Sequence, residues 1–195
     1  MSRDAIFNVT IALQDRLKAV VGNSVFIGPL DDPNVGTSQL ILFLYRIAPN
    51  PSLRNRSHRV PSNPVIPPLP QPPPATVYRN SLPLDLYYLI TVGTNAAGSE
   101  ETFLKPLGAA MQALQLNPEL VSATLGHEAV HVSLDPLTSE ENSRVWALFP
   151  AANYRTSVAY LVSPVWIDPE IPEPVAHPVV MDRLDAGARV TLPVE

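Results

Sequence analysis

Residues 61–74 hold eight prolines in fourteen positions and end in Pro72-Pro73-Pro74. A proline ring fixes φ and removes the amide donor, so no helix interior or central strand can run through such a stretch. Any sheet must therefore be assembled from segments on either side of it. The stretch itself reads as an extended, polyproline-like arm, reaching about 40 Å at ~3.1 Å per residue. Loops of this length inside a compact domain are functional or disordered. The arginines just before it favour an arm that touches a partner.

The flanking segments have the composition of strands. Gln39 to Ile47 is an almost unbroken apolar run, the pattern of a strand covered on both faces. Leu84 to Val92 is its expected neighbour in the sheet. Ser24 to Ile27 reads as a short strand closed by Gly28-Pro29, with turn residues from Asp31 to Asn34 after it. Ala129 to Leu134 alternates, placing Val130, Val132 and Leu134 on one face. Tyr154 to Ile167, rich in Val, Tyr and Trp, reads as a last long strand, broken or bulged near Pro164.

Three helices complete the set. From Arg3 to Val21, the residues Ile6, Val9, Leu13, Leu17, Val20 and Val21 recur at helical spacing, with Ser2 as N-cap and Gly22 just past the end. Ser99 to Leu116 turns Phe103, Leu107, Ala110, Met111 and Leu114 inward. Pro106 marks an early turn, so its regular part begins near Lys105, and Asn117-Pro118 stops it. Ser139 to Phe149 starts on a capping box, Thr138 with Glu141 three residues on.

These elements predict an α/β (α+β) fold, a mixed β-sheet flanked by helices. Residues 1–168 read as one domain, with an Arg/Pro-rich arm inserted over 48–83, and 169–195 as an extended tail. The hydrophobic fraction of 46% suffices for a core, but charged residues are only 16% of the chain, against roughly 25% in an average soluble protein. Such a chain hides surface against a partner or carries long uncharged loops.

The charge is unevenly placed. No acid lies between Pro33 and Leu84, where Arg46, Arg54, Arg56, Arg59 and Arg79 make the segment +5. The other eight bases against eighteen acids leave the remainder at −10. Opposite fields on one subunit suit head-to-tail docking, because complementary charge steers encounter and fixes register.

One motif resembles catalytic chemistry. His127-Glu128-Ala129-Val130-His131 matches H-E-x-x-H, the pattern of zinc peptidases, in which a helix brings residues four apart onto one face. In a strand those histidines stand roughly 13 Å apart, too far for one ion held by bonds of about 2.1 Å. Gly126 before the motif and the alternation of Val130 to Leu134 after it favour the strand. Glu140 or Glu141 could supply a third ligand only if the motif were helical.

The remaining signatures are missing. There is no cysteine, which excludes disulfides, thiolate metal sites and cysteine nucleophiles. The scattered glycines form neither a phosphate loop nor a dinucleotide fingerprint. The arginine loop lacks interleaved aromatics, so no nucleic-acid partner is expected. No run approaches the roughly 18 apolar residues of a membrane span, and the opening Met1-Ser2-Arg3-Asp4 does not read as a secretory signal. The chain reads as made in the cytoplasm, with no cofactor and no catalytic residue.

Three passages carry a family likeness. They are the helix Ile6 to Val21, the strand Leu84-Asp85-Leu86-Tyr87-Tyr88-Leu89-Ile90-Thr91, and Val145-Trp146-Ala147-Leu148-Phe149 leading into Tyr154-Arg155-Thr156-Ser157-Val158-Ala159-Tyr160. Over about residues 3 to 170 the chain resembles the N-terminal domain of cap, or tube-terminator, proteins of contractile injection systems, which are phage-tail-like particles. The resemblance implies a structural subunit of a six-membered ring that closes the inner tube and anchors the last sheath layer. Its implied partners are further copies of itself, the tube protein and the sheath protein. It brings no catalytic residues. As given, the chain ends soon after the domain, so roles that need a large C-terminal extension are not expected.

The candidate contact residues are Arg54, Arg56, Arg59, Pro72, Pro73, Pro74 and Arg155. Two other classes remain as alternatives. One is a small zinc hydrolase on His127, Glu128 and His131; the other is an adaptor whose Pro72-Pro73-Pro74 arm enters an aromatic groove.

Overall fold

The computed structural model describes residues 3–61, 75–93, 100–121, 125 and 128–172. It opens with helix α1, Ala5–Val21, followed by the short strand β1, Val25–Ile27. A 3-10 turn at Pro33–Val35 leads into β2, Leu40–Pro49. The antiparallel ribbon β3, His58–Pro61, and β4, Ala75–Tyr78, then interrupts the chain before β5, Leu82–Val92. Helix α2, Glu100–Leu116, precedes β6, Glu119–Leu120, and β7, Val130–Leu134. Helix α3, Ser139–Trp146, and β8, Ser157–Ile167, close the described fold.

Six strands form one mixed sheet in the order β1-β2-β5-β8-β7-β6; β3 and β4 form a second, two-stranded sheet. Among the described strands, only the β1–β2 pairing is parallel. The predicted neighbours pair as expected, with Leu40 opposite Val92 and Leu44 opposite Tyr88. A register shift places the single residue between Leu84 and Leu86 against Ser163 and Pro164, the expected irregularity of the last strand. Gly93 ends β5 where a Cβ would stand 1.7 Å from the Ser38 carbonyl oxygen, so a side chain there would force the backbones apart.

Strand alternation splits the core between two faces. Leu40, Leu42, Leu86, Tyr88, Ile90, Val130 and Val132 pack with Val9, Leu13 and Leu17 of α1 and with Leu107, Ala110 and Leu114 of α2. On the other face, Ile41, Leu89 and Ala159 meet Leu30, Val35, Val145, Trp146 and Phe149. The sheet is thus a middle layer with helices on both sides. No described helix is long and apolar enough to cross a membrane.

Several local expectations shift. The N-cap of α1 is Asp4, with no side-chain capping bond, and Ser2 lies outside the described residues. Periodicity placed Val20, Met111 and Leu134 inward, yet they are 43%, 36% and 51% exposed. Each lies at the edge of its apolar stripe, where the neighbouring layer no longer covers it. Only Leu40–Leu42 of β2 is buried on both faces; Arg46 and Ile47 emerge into solvent. Pro106 stands inside α2, which begins six residues earlier, at Glu100. The capping box of α3 forms as predicted, with the Thr138 oxygen accepting from the Glu141 amide at 3.2 Å.

Tyr88 is the buried polar centre of the α1–sheet interface. Its hydroxyl lies 2.7 Å from the Thr10 hydroxyl, which donates to the Ile6 carbonyl. Burial pushes the Tyr88 phenol up to about 12, partly offset by the Thr10 bond. A phenol that resists ionisation in the fold stabilises it fully below pH ~10 and loses that contribution as pH rises through about 12. Tyr88→Phe should therefore reduce the loss of stability between about pH 10 and 12, by up to ~2–3 kcal/mol. Denaturant melts at both pH values would measure it; burial also raises Tyr45 and Tyr160, so a smaller alkaline loss should persist.

Candidate functional site

The insertion between β2 and β5 leaves the sheet through a built root. The Asn50 side-chain oxygen, Oδ1, accepts from the backbone amides of Ser52 and Leu53 at 3.0 and 3.1 Å. Its amide group donates to Asp85 at 2.8 Å, and its backbone amide bonds the Pro83 carbonyl. Asn50 thereby ties the outgoing strand to the returning one. Beyond this turn, His58 pairs with Tyr78 and Pro61 with Ala75, so the arm begins as a hairpin-like ribbon.

His58 fastens this ribbon to the end of β8. Its ring stacks on Trp166 with centroids 4.6 Å apart and planes 7° from parallel. Nδ1 lies 2.8 Å from an Asp168 oxygen, which also accepts from the Ser81 hydroxyl at 2.6 Å. Nε2 faces Glu128 at 3.6 Å. Burial acts to raise the Asp168 carboxyl, but hydrogen bonds that include those from Ser81 and His58 hold it below the ordinary aspartate value.

The same three side chains are a possible metal set. His58, Glu128 and Asp168 each offer a ligand atom within 4.8 Å of the others. In the structure Nδ1 is hydrogen-bonded to Asp168 at 2.8 Å, while Nε2 stands 3.6 Å from Glu128, beyond hydrogen-bond distance. The Nδ1 bond, the Ser81 bond to the same carboxylate and the Trp166 stack together form a clamp.

Glu128 is the second residue of the H-E-x-x-H sequence, and its carboxylate faces His58 Nε2. His131 lies in extended β7, as read from the alternation, opposite Glu119 and Ser163, and is exposed. His127 lies outside the described residues.

The candidate contact residues separate. Arg54 and Arg56, before β3, join Arg79, just after β4, around one open concavity. The ribbon register brings these positions together, since His58 faces Tyr78. Arg59 is exposed on the neighbouring position of β3, and alternation turns it to the other face of the ribbon. Arg155 is half-buried before the first residue of β8, while the root lies at that strand's far end. Eleven strand residues put the two roughly 30 Å apart. Pro72, Pro73 and Pro74 lie outside the described residues. Sequence reading counted Arg79 in the basic segment without placing it in the site, and gave no signal for His58, Trp166 or Asp168.

The Trp-to-Tyr passage forms the joint between α3 and β8. Trp146 donates from Nε1 to the Ser157 hydroxyl at 3.2 Å, and its ring lies 5.0 Å from that of Tyr154. Tyr160 is buried with the α1–α2 core, while Tyr154 is exposed.

A family model, the Pvc16 N-terminal domain, matches residues 8–181. The chain belongs to the Pvc16 N-terminal domain family. Two solved structures share its fold, each at 20% identity and a TM-score of 0.58. One is the PVC sheath/tube terminator of an extracellular contractile injection system in its extended state, matched over 95% of this chain and 65% of its own. The other is the anti-feeding prophage cap, a tube-terminating cap, matched over 90% and 59%. The chain thus spans less than two thirds of either structure's length. Comparison with curated protein sequences finds no match.

The expected mixed sheet flanked by helices is the fold of a Pvc16 N-terminal domain. The site gathers guanidinium groups at a ribbon root whose His58 is stacked on Trp166 and bonded to Asp168.

Proposed function

We propose that this Pvc16 N-terminal domain chain is a structural cap subunit, closing the inner tube of a contractile injection particle and anchoring the last sheath layer. The observation that carries the reading is the family match over residues 8–181, joined to a fold shared with a sheath/tube terminator and a tube-terminating cap. The subunits form a closed ring, six-membered by the family resemblance, in which one face of each copy meets a different face of the next. Residues 1–168 act as the ring-forming domain, 48–83 as its contacting arm and 169–195 as a tail. Arg54, Arg56, Arg59, Pro72, Pro73, Pro74 and Arg155 contribute to contacts with copies, tube or sheath. The subunit has no turnover. It is made in the cytoplasm and built into the particle.

Light scattering on the purified chain, with co-sedimentation against tube and sheath proteins, tests this reading. A ring-sized particle, or binding to either protein, is expected. A strict monomer indifferent to both would sink the proposal.

A further inference from the structure

A groove opens where β7 ends, α3 begins and β8 starts. Leu134, Pro136, Leu137, Val158 and Ala159 give it an apolar lining. Three polar residues that also line it each tie an aromatic ring to it. Asp135 accepts from the Tyr45 hydroxyl, Asn142 donates to the Tyr154 hydroxyl and Ser157 accepts from Trp146 Nε1, each at 3.2 Å. Tyr154 is 66% exposed and stands 5.0 Å from the Trp146 ring, so it is held in place while facing solvent.

These features match a polyproline segment. Such a segment offers carbonyl oxygens but few amide donors, and its fixed φ leaves little freedom to lose on docking. Aromatic-lined grooves recognise it. Side-chain donors suit its carbonyls. Asn142 has a second amide hydrogen beyond the one given to Tyr154, and Ser157 keeps its hydroxyl hydrogen while accepting from Trp146. The Asp135 carboxylate disfavours an acidic occupant. Val60 to Tyr78 carries no charged residue, whereas the prolines after Asp168 are interspersed with Glu170 and Glu173.

We infer that this groove receives the proline arm, residues 67–74, of a second copy of this chain. The inference rests on the ring reading above and assigns one of its contacts. Pro61 and Ala75 are paired, so residues 62–74 leave the ribbon and return to it at one point. A loop tied in this way reaches only about 20 Å from its base. The groove lies at the Ser157 end of β8, and the ribbon is stacked at Trp166, roughly 30 Å along the strand. Arm and groove thus sit at opposite ends of the sheet, the arrangement that joins copies head to tail.

Sedimentation velocity over a concentration series compares three full-length proteins. They are wild type, Tyr154→Ala, and an arm variant in which a Gly/Ser stretch of equal length replaces residues 67–74. Each variant should self-associate at least about tenfold more weakly than wild type. Mixed together, the two should recover one contact and stop at a dimer, Tyr154→Ala supplying the arm and the arm variant the groove. Fluorescence anisotropy adds a labelled peptide of residues 62–75. It should bind the arm variant with an affinity that changes less than about twofold between 50 and 500 mM NaCl, because the peptide is uncharged. Tyr154→Ala introduced into the arm variant should weaken that binding at least about tenfold.

Association of both variants at the wild-type level would overturn the inference and leave the ring reading standing. So would a peptide that does not bind the arm variant. A wild type that stays monomeric while the peptide binds would remove the ring reading and seat the arm in its own chain. Two weakened variants that fail to dimerise when mixed would also overturn the second copy. Peptide affinity that rises about tenfold on deleting residues 173–195 from the arm variant would give the groove to the tail.

Discussion

Trp166→Ala is expected to destabilise the domain by about 3–5 kcal/mol and to loosen the arm root beyond that global effect. The indole is 8% exposed, and the His58 ring rests on one of its faces. Removing it opens a cavity and takes away the surface that orients His58 toward Asp168, so the 2.8 Å contact loses its alignment. Chemical denaturation should give the first effect as a lower midpoint with an unchanged slope. Limited trypsin digestion should give the second. The peptide bonds after Arg59 and Arg79 lie in and beside the ribbon, and cleavage there should quicken by about tenfold or more. Unchanged cleavage at both sites in a destabilised protein would mean that the clamp does not hold the arm.

Leu13→Ala and Val20→Ala form a matched pair with opposite expectations. Both residues lie on the apolar stripe of α1, so spacing alone assigns them equal value. Leu13 is 0% exposed and packed among α1, α2 and the sheet; its truncation should cost about 2–5 kcal/mol. Val20 is 43% exposed in the last turn, and its truncation should stay within about 0.5 kcal/mol. Equal losses at the two positions would place the end of α1 against something outside the described residues. A ring contact would satisfy that result, and dilution below the association range would then abolish the Val20 effect.

The clamp also refines how the proline arm relates to the domain. A long insertion joined by a loose loop would sample many directions and lose much freedom on docking. Here the two strands at its base are paired with each other, and the root is bonded at Asn50, His58 and Ser81. The direction in which the chain leaves at β3 and returns at β4 is therefore set by buried contacts on the domain.

What the sequence determined by itself was the local and periodic part of the fold. That β2 and β5 are neighbouring strands follows from two apolar runs, Gln39–Ile47 and Leu84–Val92, that both need cover. The stop of α2 before Pro118 and the capping box of α3 are local chemistry, decided within a few residues. The extended state of Val130–Leu134 was equally legible, because alternation has a period that a helix cannot satisfy. Tertiary structure alone decided where each apolar stripe ends, which is why Val20, Met111 and Leu134 emerge. It also decided the site. Arg54 and Arg56 meet Arg79 only through the ribbon register, and His58, Glu128 and Asp168 meet only where β3, the segment before β7 and the end of β8 converge. Periodicity reports which face of one element avoids water; it carries no information about which distant side chain will stand opposite.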